Sequence, residues 1–251
     1  MKWLLAVLLT AFLVYLIYDE LRGGPVAIIT RRKRLCDYYL GGSVFEDISS
    51  AIKRGVRLLE VHVYADERDE PVVALTPQNS GRNFADNNVS FEQVCIDIVN
   101  DAFPSKDPFI LSIVAHTEKG YTLNKIAEHL TTITRRHLFD EKDIQDVALD
   151  ELANKLILVS GGNIQGSALE PLLNLSWSQS GVRRLSYQQA LHPRDPTELQ
   201  KFNKDFITIV GPQPELKTVT ANPARPFALG CQWNVMAKEP LAFTEKSFLR
   251  V

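Results

Sequence analysis

The chain has 251 residues, with 28 Lys and Arg against 30 Asp and Glu and a formal net charge of −2. Charge this balanced excludes a global basic surface for nucleic acid, and the length suits one α/β barrel with a full core. Cys36, Cys95 and Cys231 are odd in number and form no CxxC pair, against a disulfide framework or structural zinc site.

The N-terminus departs from this composition. Trp3 to Tyr18 is an unbroken apolar run of sixteen residues. A membrane span usually takes about 20 residues and a signal-peptide core about 7–15. No small-x-small cleavage site follows, and the run is apolar all round, unlike a soluble amphipathic helix. The expectation is a retained transmembrane helix over 1–22, anchored by Trp3, Leu4, Leu5, Phe12, Leu13, Leu16 and Tyr18. A cleaved signal is the alternative. Residues 23–34 then read as a basic linker. Its run Arg31–Arg34 outweighs Lys2, so the positive-inside rule puts the folded part on the cytosolic side. The same cations also suit anionic headgroups or an ordinary solvated linker.

From Val44 to Ile52 apolar residues recur at helical spacing. Gly55 turns the chain into a strand. There Val56, Leu58, Glu60 and His62 share one face, and Arg57, Leu59, Val61 and Val63 the other. Apolar residues on both faces mark a strand covered on both sides, as in parallel sheets. A charged turn precedes a short strand over Pro71–Leu75, and TPQNSGRN is loop chemistry. Ser90 is placed to cap a helix carrying Phe91, Val94, Cys95, Ile98 and Val99. Phe109–Val114 reads as a buried strand. Leu123 to Ile133 marks a helix with Arg135, Arg136 and His137 in its last turn, and Lys155–Ser160 reads as a strand. Residues 161–184 give no clear period. Thr197–Phe202 reads as a helix, Phe206–Val210 as a strand and Leu229–Ala237 as a last buried strand. Helices and strands alternating in this way imply a parallel sheet with crossover helices.

At the level of motifs the chain resembles the phosphoinositide-specific phospholipase C family. GVRLLEVHVY and the following EPVVALTPQNSGRNF resemble the family's G-C-R-x-x-E-L-D-x-W and E-P-V-x-x-H-G-H-T. FILSIVAHTEK resembles I-L-S-x-E-N-H-C, and LANKLILVSGG resembles L-x-x-K-I-L-I-K-G-K. LSYQQA, LQKFNKDFITIVGP, PFALGCQWNV and Leu241 to Phe248 resemble the second half in order. The resemblance implies a distorted (β/α)8 barrel over 35–251, its first half over about 35–162 and its second over about 183–251.

The departures fall at the chemistry. The family uses two histidines and a calcium ion. Matching LCDYYL to the first histidine motif puts Cys36 in its place, and LTPQ puts Pro77 in place of the second. Neither shuttles a proton near neutral pH as imidazole does. At the calcium positions the resemblance places Asp37, Glu60, His62 and Val114, of which only Glu60 is retained. Calcium takes six to eight oxygens, so no metal and no other cofactor is expected. The phosphate-gripping positions become Val159, Gly161, Ile209 and Gly211. The expectation is therefore a pseudoenzyme serving as a structural or scaffold subunit of a membrane assembly, with other proteins as partners. One rival is a divergent phosphodiesterase, or a metal hydrolase with zinc or iron at Cys36, Asp37, Glu60 and His62. A second rival is a phosphoinositide-binding module without turnover. Glu60 itself reads as a buried, hydrogen-bonded carboxylate, His116 as a satisfied histidine, and His129 and His137 as surface residues. Asn88 and Asn174 head N-x-S sequons that matter only in a luminal domain. The barrel mouth is expected to be filled by collapsed side chains or covered by a partner.

Overall fold

A computed structural model describes residues 33–44, 48–74, 88–212, 222–235 and 241–246. Strand β3 (Leu58–Ala65) lies at the centre of the first sheet. On one edge it pairs in parallel with β6 (Phe109–Ala115), which continues to β7 (Leu156–Ser160) and β8 (Leu175–Ser176). Its other edge takes β2 (Ser43–Val44) in parallel and β4 (Pro71–Val73) antiparallel, and β4 carries β5 (Val89–Ser90). The second sheet runs β9 (Val182–Ser186), β10 (Ile207–Gly211), β11 (Trp233–Asn234) and β1 (Tyr38–Gly41), all parallel. Strand β12 (Leu241–Glu245) closes on β1 antiparallel. Only Gly42 separates β1 from β2, so one stretch of chain passes from sheet to sheet. Among the described residues no ladder joins β8 to β9, and the sheets do not close into a continuous hydrogen-bonded barrel.

The alternation along β3 assigns its two faces. Leu59, Val61 and Val63 pack outward with Leu111, Ile113 and Leu158 against the helices α1 (Ile48–Lys53), α2 (Phe91–Asp101) and α3 (Gly120–Ile133). Leu58 turns inward with Ile110, Ile157, Val159, Ile207, Ile209 and Trp233. The turn into β3 is made by Gly55 at φ 98°, a backbone region open to glycine at little cost. Ser90 caps α2, its hydroxyl accepting from Gln93 N at 3.1 Å, a contribution of about 1 kcal/mol.

Several boundaries differ from the sequence reading. Val44 belongs to β2 because it pairs opposite Glu60, so the helix starts only at Ile48 among the described residues. Helix α3 ends at Ile133. Arg135, Arg136 and His137 lie beyond it, where His137 stacks on Phe103 and hydrogen-bonds Asn154 O. The stretch without a clear period contains β8 and the start of β9. In β9 Val182 and Arg184 face inward while Arg183 reaches out to Glu198 and Phe202. Polar residues on both faces hide that alternation. Leu229 caps α6 (Ala224–Ala228) rather than opening a strand, and β11 is short. On this side of the molecule α4 (Tyr187–Leu191) and α5 (Pro196–Phe202) contribute Ala190 and Leu199 to a small outer cluster with Val210.

No helix among the described residues is long and apolar enough to cross a membrane. The run Trp3–Tyr18 lies outside the described residues. Lys33 and Arg34 already belong to the fold: Lys33 pairs with Glu245, and Arg34 with Asp37, Asp146 and Asp205. These two cations are held by carboxylates rather than presented freely to headgroups.

Candidate functional site

The inward face of β3 carries Glu60 and His62 as the third and fifth of its eight residues, with Glu60 level with Val159 near the C-terminal end of β7, the end at which parallel α/β proteins build their sites. Glu60 is wholly buried and both of its oxygens are engaged. Arg184, reaching across from β9, donates from Nη2 to Oε1 at 2.7 Å and from Nε to Oε2 at 3.2 Å. Ser112 Oγ, directly opposite on β6, donates to Oε2 at 3.1 Å. His62 Nε2 lies 3.3 Å from Oε1. Burial alone would raise the Glu60 carboxyl. The Arg184 guanidinium and the His62 hydrogen bond outweigh it and hold the group at about 2.

From His62 the network runs outward. Its Nδ1 is 2.9 Å from His116 Nε2, and His116 stacks on Tyr64 with ring centroids 4.5 Å apart. Burial, then His62 and Arg184, push His116 down to about 4. The histidine pair therefore terminates on a carboxylate that is itself fixed by a guanidinium. In a buried ion pair of this kind, loss of either partner is strongly destabilising, since it leaves an uncompensated buried charge.

The space beside this pair is filled. A Cβ placed at Gly211, the last residue of β10, would lie 2.6 Å from Arg184 Nη2 and 2.9 Å from Glu60 Oε1. Glycine at 211 is what lets the guanidinium approach the carboxylate. At Gly161, just past β7, a Cβ would lie 2.5 Å from the Trp177 ring. Val159 and Ile209 point into the inner core and are fully buried. Val114 faces His62 across the β3–β6 ladder. Gly211→Ala is expected to cost about 1–3 kcal/mol by forcing the pair apart, read as a lowered urea midpoint with unchanged slope.

Cys36 and Asp37 do not join this site. They form a short 3-10 turn ahead of β1, at the opposite end of the strands, where Asp37 accepts from Arg34 N at 2.9 Å. The residues of this strand pair that come level with Leu59 and Glu60 are Ser43 and Val44. Placing Cys36 beside Glu60 and His62 is thus corrected: a strand of this length separates the two ends. Burial and Asp37 also push the Cys36 thiol up, away from thiolate chemistry. Pro77 lies outside the described residues. The mixed metal cluster of Cys36, Asp37, Glu60 and His62 does not assemble, and among the described residues no group of three or more His, Cys, Asp or Glu is placed to hold a metal. A calcium ion does not fit the donors present among the described residues, because Glu60 is saturated by Arg184, Ser112 and His62, and Val114 stands opposite His62 across the ladder.

Arg184 and Ser112 are the two site residues that sequence reasoning missed. Ser112 carried a faint signal as the one polar residue of FILSIV. Arg184 carried none, because its partner is 124 residues away.

The sequence of residues 34–161, just over half of the chain, matches the family model "Phosphatidylinositol-specific phospholipase C, X domain". The chain belongs to the phosphatidylinositol-specific phospholipase C family. No curated protein matches it in sequence. Among solved structures, PLC21 of S. officinalis is similar at 16% identity and TM-score 0.67, covering 83% of this chain and 34% of that one. The chain thus spans about a third of that protein's length. A calcium-dependent phosphoinositol-specific phospholipase C from Pseudomonas sp. is similar at 12% identity and TM-score 0.55, covering 86% and 95%. A Ca2+-dependent enzyme of Streptomyces antibioticus is similar at 11% identity and TM-score 0.54, covering 80% and 94%. Identities this low establish the α/β fold of a phospholipase C and leave activity to the site.

Proposed function

We propose that this phospholipase C family member is a pseudoenzyme, a distorted (β/α)8 barrel held at a membrane by Trp3–Tyr18 and acting as a structural or scaffold subunit of a larger assembly. The observation that carries this reading is the buried Arg184–Glu60 pair. Glu60 is the one calcium-site carboxylate that the family resemblance retains, and a fixed guanidinium now neutralises it. Tethered to its own arginine, the carboxylate cannot also coordinate an ion or lower the pKa of a nucleophile.

The proton-transfer pair is lacking as well. Within the family-matched segment the histidines are His62, His116, His129 and His137. His62 and His116 are bonded to one another, and His129 and His137 belong to α3 and the turn after it. The segment from 34 to 61 contains no histidine at all, so nothing on β1 or β2 supplies an imidazole. Phosphate-binding is disfavoured on similar grounds. Val159 and Ile209 are core residues, and the spaces at Gly161 and Gly211 are taken by Trp177 and Arg184. These side chains take up the space beside the Arg184–Glu60 pair, which supports the reading of a mouth without a phosphate site.

With the chemistry gone, a barrel of this size retains its surface and its tether. The bilayer and neighbouring protein subunits are the partners this implies. Arg31–Arg34 favours a barrel on the cytosolic side by the positive-inside rule.

Assay of phosphatidylinositol and its phosphorylated forms, with and without calcium, is expected to show background hydrolysis only. Losing general acid–base catalysis alone costs about 10²–10⁴-fold. Calcium-dependent release of an inositol phosphate, abolished by Glu60→Gln, would defeat the proposal. Carbonate extraction is expected to leave the full chain in the membrane pellet. Purification in mild detergent should then bring stoichiometric protein partners with it, and a lone monomer would remove the scaffold role.

A further inference from the structure

Asn88 and Asn174 both head N-x-S sequons, NVS and NLS, and the fold treats them in opposite ways. Asn88 is exposed and sits one residue ahead of β5. The hydroxyl of its sequon, Ser90, caps α2, a contact that leaves the Asn88 side chain uninvolved. Asn174 is 2% exposed, just ahead of β8. Its Nδ2 donates to Phe139 O and to Glu141 O, each at 2.7 Å. Its Oδ1 accepts from Leu158 N on β7 at 2.8 Å. One amide side chain thus ties the 139–143 stretch and β8 to the edge of the first sheet, and its backbone adds bonds to Leu158 and Asp143.

N-glycosyl transfer joins the C1 of a sugar to Nδ2 of asparagine. The diphosphate of a lipid-linked oligosaccharide donor leaves, and one amide hydrogen departs as a proton. At Asn174 both amide hydrogens are committed to the Phe139 and Glu141 carbonyls, and a glycan on this buried side chain would break one of those bonds as well as demanding space the fold does not leave. At Asn88 neither cost arises.

We infer that Asn174 is a sequon whose modification the fold cannot carry, whereas the surface at Asn88 would tolerate a glycan. Because oligosaccharyl transfer acts on the chain before it folds, a luminal chain would be modified at Asn174 and fail to fold, so the folded domain lies on the membrane face without that transfer. The assignment of the two sequons stands on the geometry alone. The choice of face rests on the anchored reading above and gives it an argument independent of Arg31–Arg34.

The full chain, carrying a C-terminal glycan-acceptor tag, is expressed in eukaryotic cells and its membrane fraction is treated with an endoglycosidase. The expected result is no mobility shift, with the tag, Asn88 and Asn174 all unmodified by mass spectrometry. A glycosylated tag or a glycan on Asn88 overturns the choice of face. A glycan on Asn174 in the protease-resistant, folded pool overturns the sequon assignment. Loss of the protein from the membrane fraction overturns the anchor and leaves that assignment standing. In a second measurement, Asn174→Asp, which keeps the shape and removes both donors, is expected to lower Tm by about 5 °C, with Asn88→Asp unchanged. Equal Tm values for the two variants overturn the assignment of Asn174.

Discussion

Replacing Arg184 by alanine is expected to cost about 3–5 kcal/mol of stability, the usual penalty for stripping the partner from a buried charge. In a chain of this size that corresponds to a fall in Tm of about 10 °C. The reason lies in Glu60, which is wholly buried and loses two of its donor bonds at once. Ser112 and His62 remain, and neither carries a permanent charge to offset the carboxylate. The double variant Arg184→Met, Glu60→Met is expected to recover most of the loss, because apolar groups of similar volume replace a buried pair at little cost. Thermal and urea unfolding of the two variants measure this directly. If Arg184→Ala unfolds like the parent chain, the pair is not the element that holds β9 to β3.

The acid limb of the stability profile is expected to belong largely to Glu60. Its carboxyl sits at about 2 in the folded chain against an ordinary value of 4.5. A carboxylate lowered on folding stabilises fully above its unfolded value, and that stabilisation is lost as pH falls towards the folded one. The window is therefore about pH 4.5 down to pH 2. Within it the unfolded chain binds more protons than the folded one, so stability rises with pH. A shift of this size corresponds to on the order of 3 kcal/mol. Glu60→Gln lacks the titrating group and is expected to be less stable than the parent at pH 7. The gap between them should close steadily as pH is lowered through the window. Parallel profiles for the two chains would show that Glu60 is not ionised in its pocket.

Both results bear on how this phospholipase C fold holds a buried carboxylate in its interior. A buried carboxylate must be compensated, because an unpaired charge in the interior is expensive. Here compensation comes from within the chain, with Arg184 drawn close by the absence of a side chain at Gly211. An arginine suits this role because its planar fork meets both carboxylate oxygens at once. The pair keeps β3 and β9, members of different sheets, in contact across the interior.

The amino-acid sequence by itself determined a good deal of this. The alternation from Leu58 to Val63 separated the inner face from the outer one before any coordinates were considered, since side-chain direction in a strand follows from parity alone. Ser90 as a helix cap was equally legible, because a cap acts over three residues. So was the α/β order of elements, and with it the family. What only the tertiary structure decided involves residues far apart in the chain. Cys36 and Asp37 precede a strand rather than follow one, which puts them at the end away from Glu60, and a local motif match gives no sense of that direction. Strand β9 escaped because Val182–Ser186 carries charge on both faces, one arginine turned to solvent and the other to a buried carboxylate. That inward arginine has no periodic signature. Its partner is chosen by the register of sheets that meet only when the chain is folded, and the room for it is left by a glycine on a third strand.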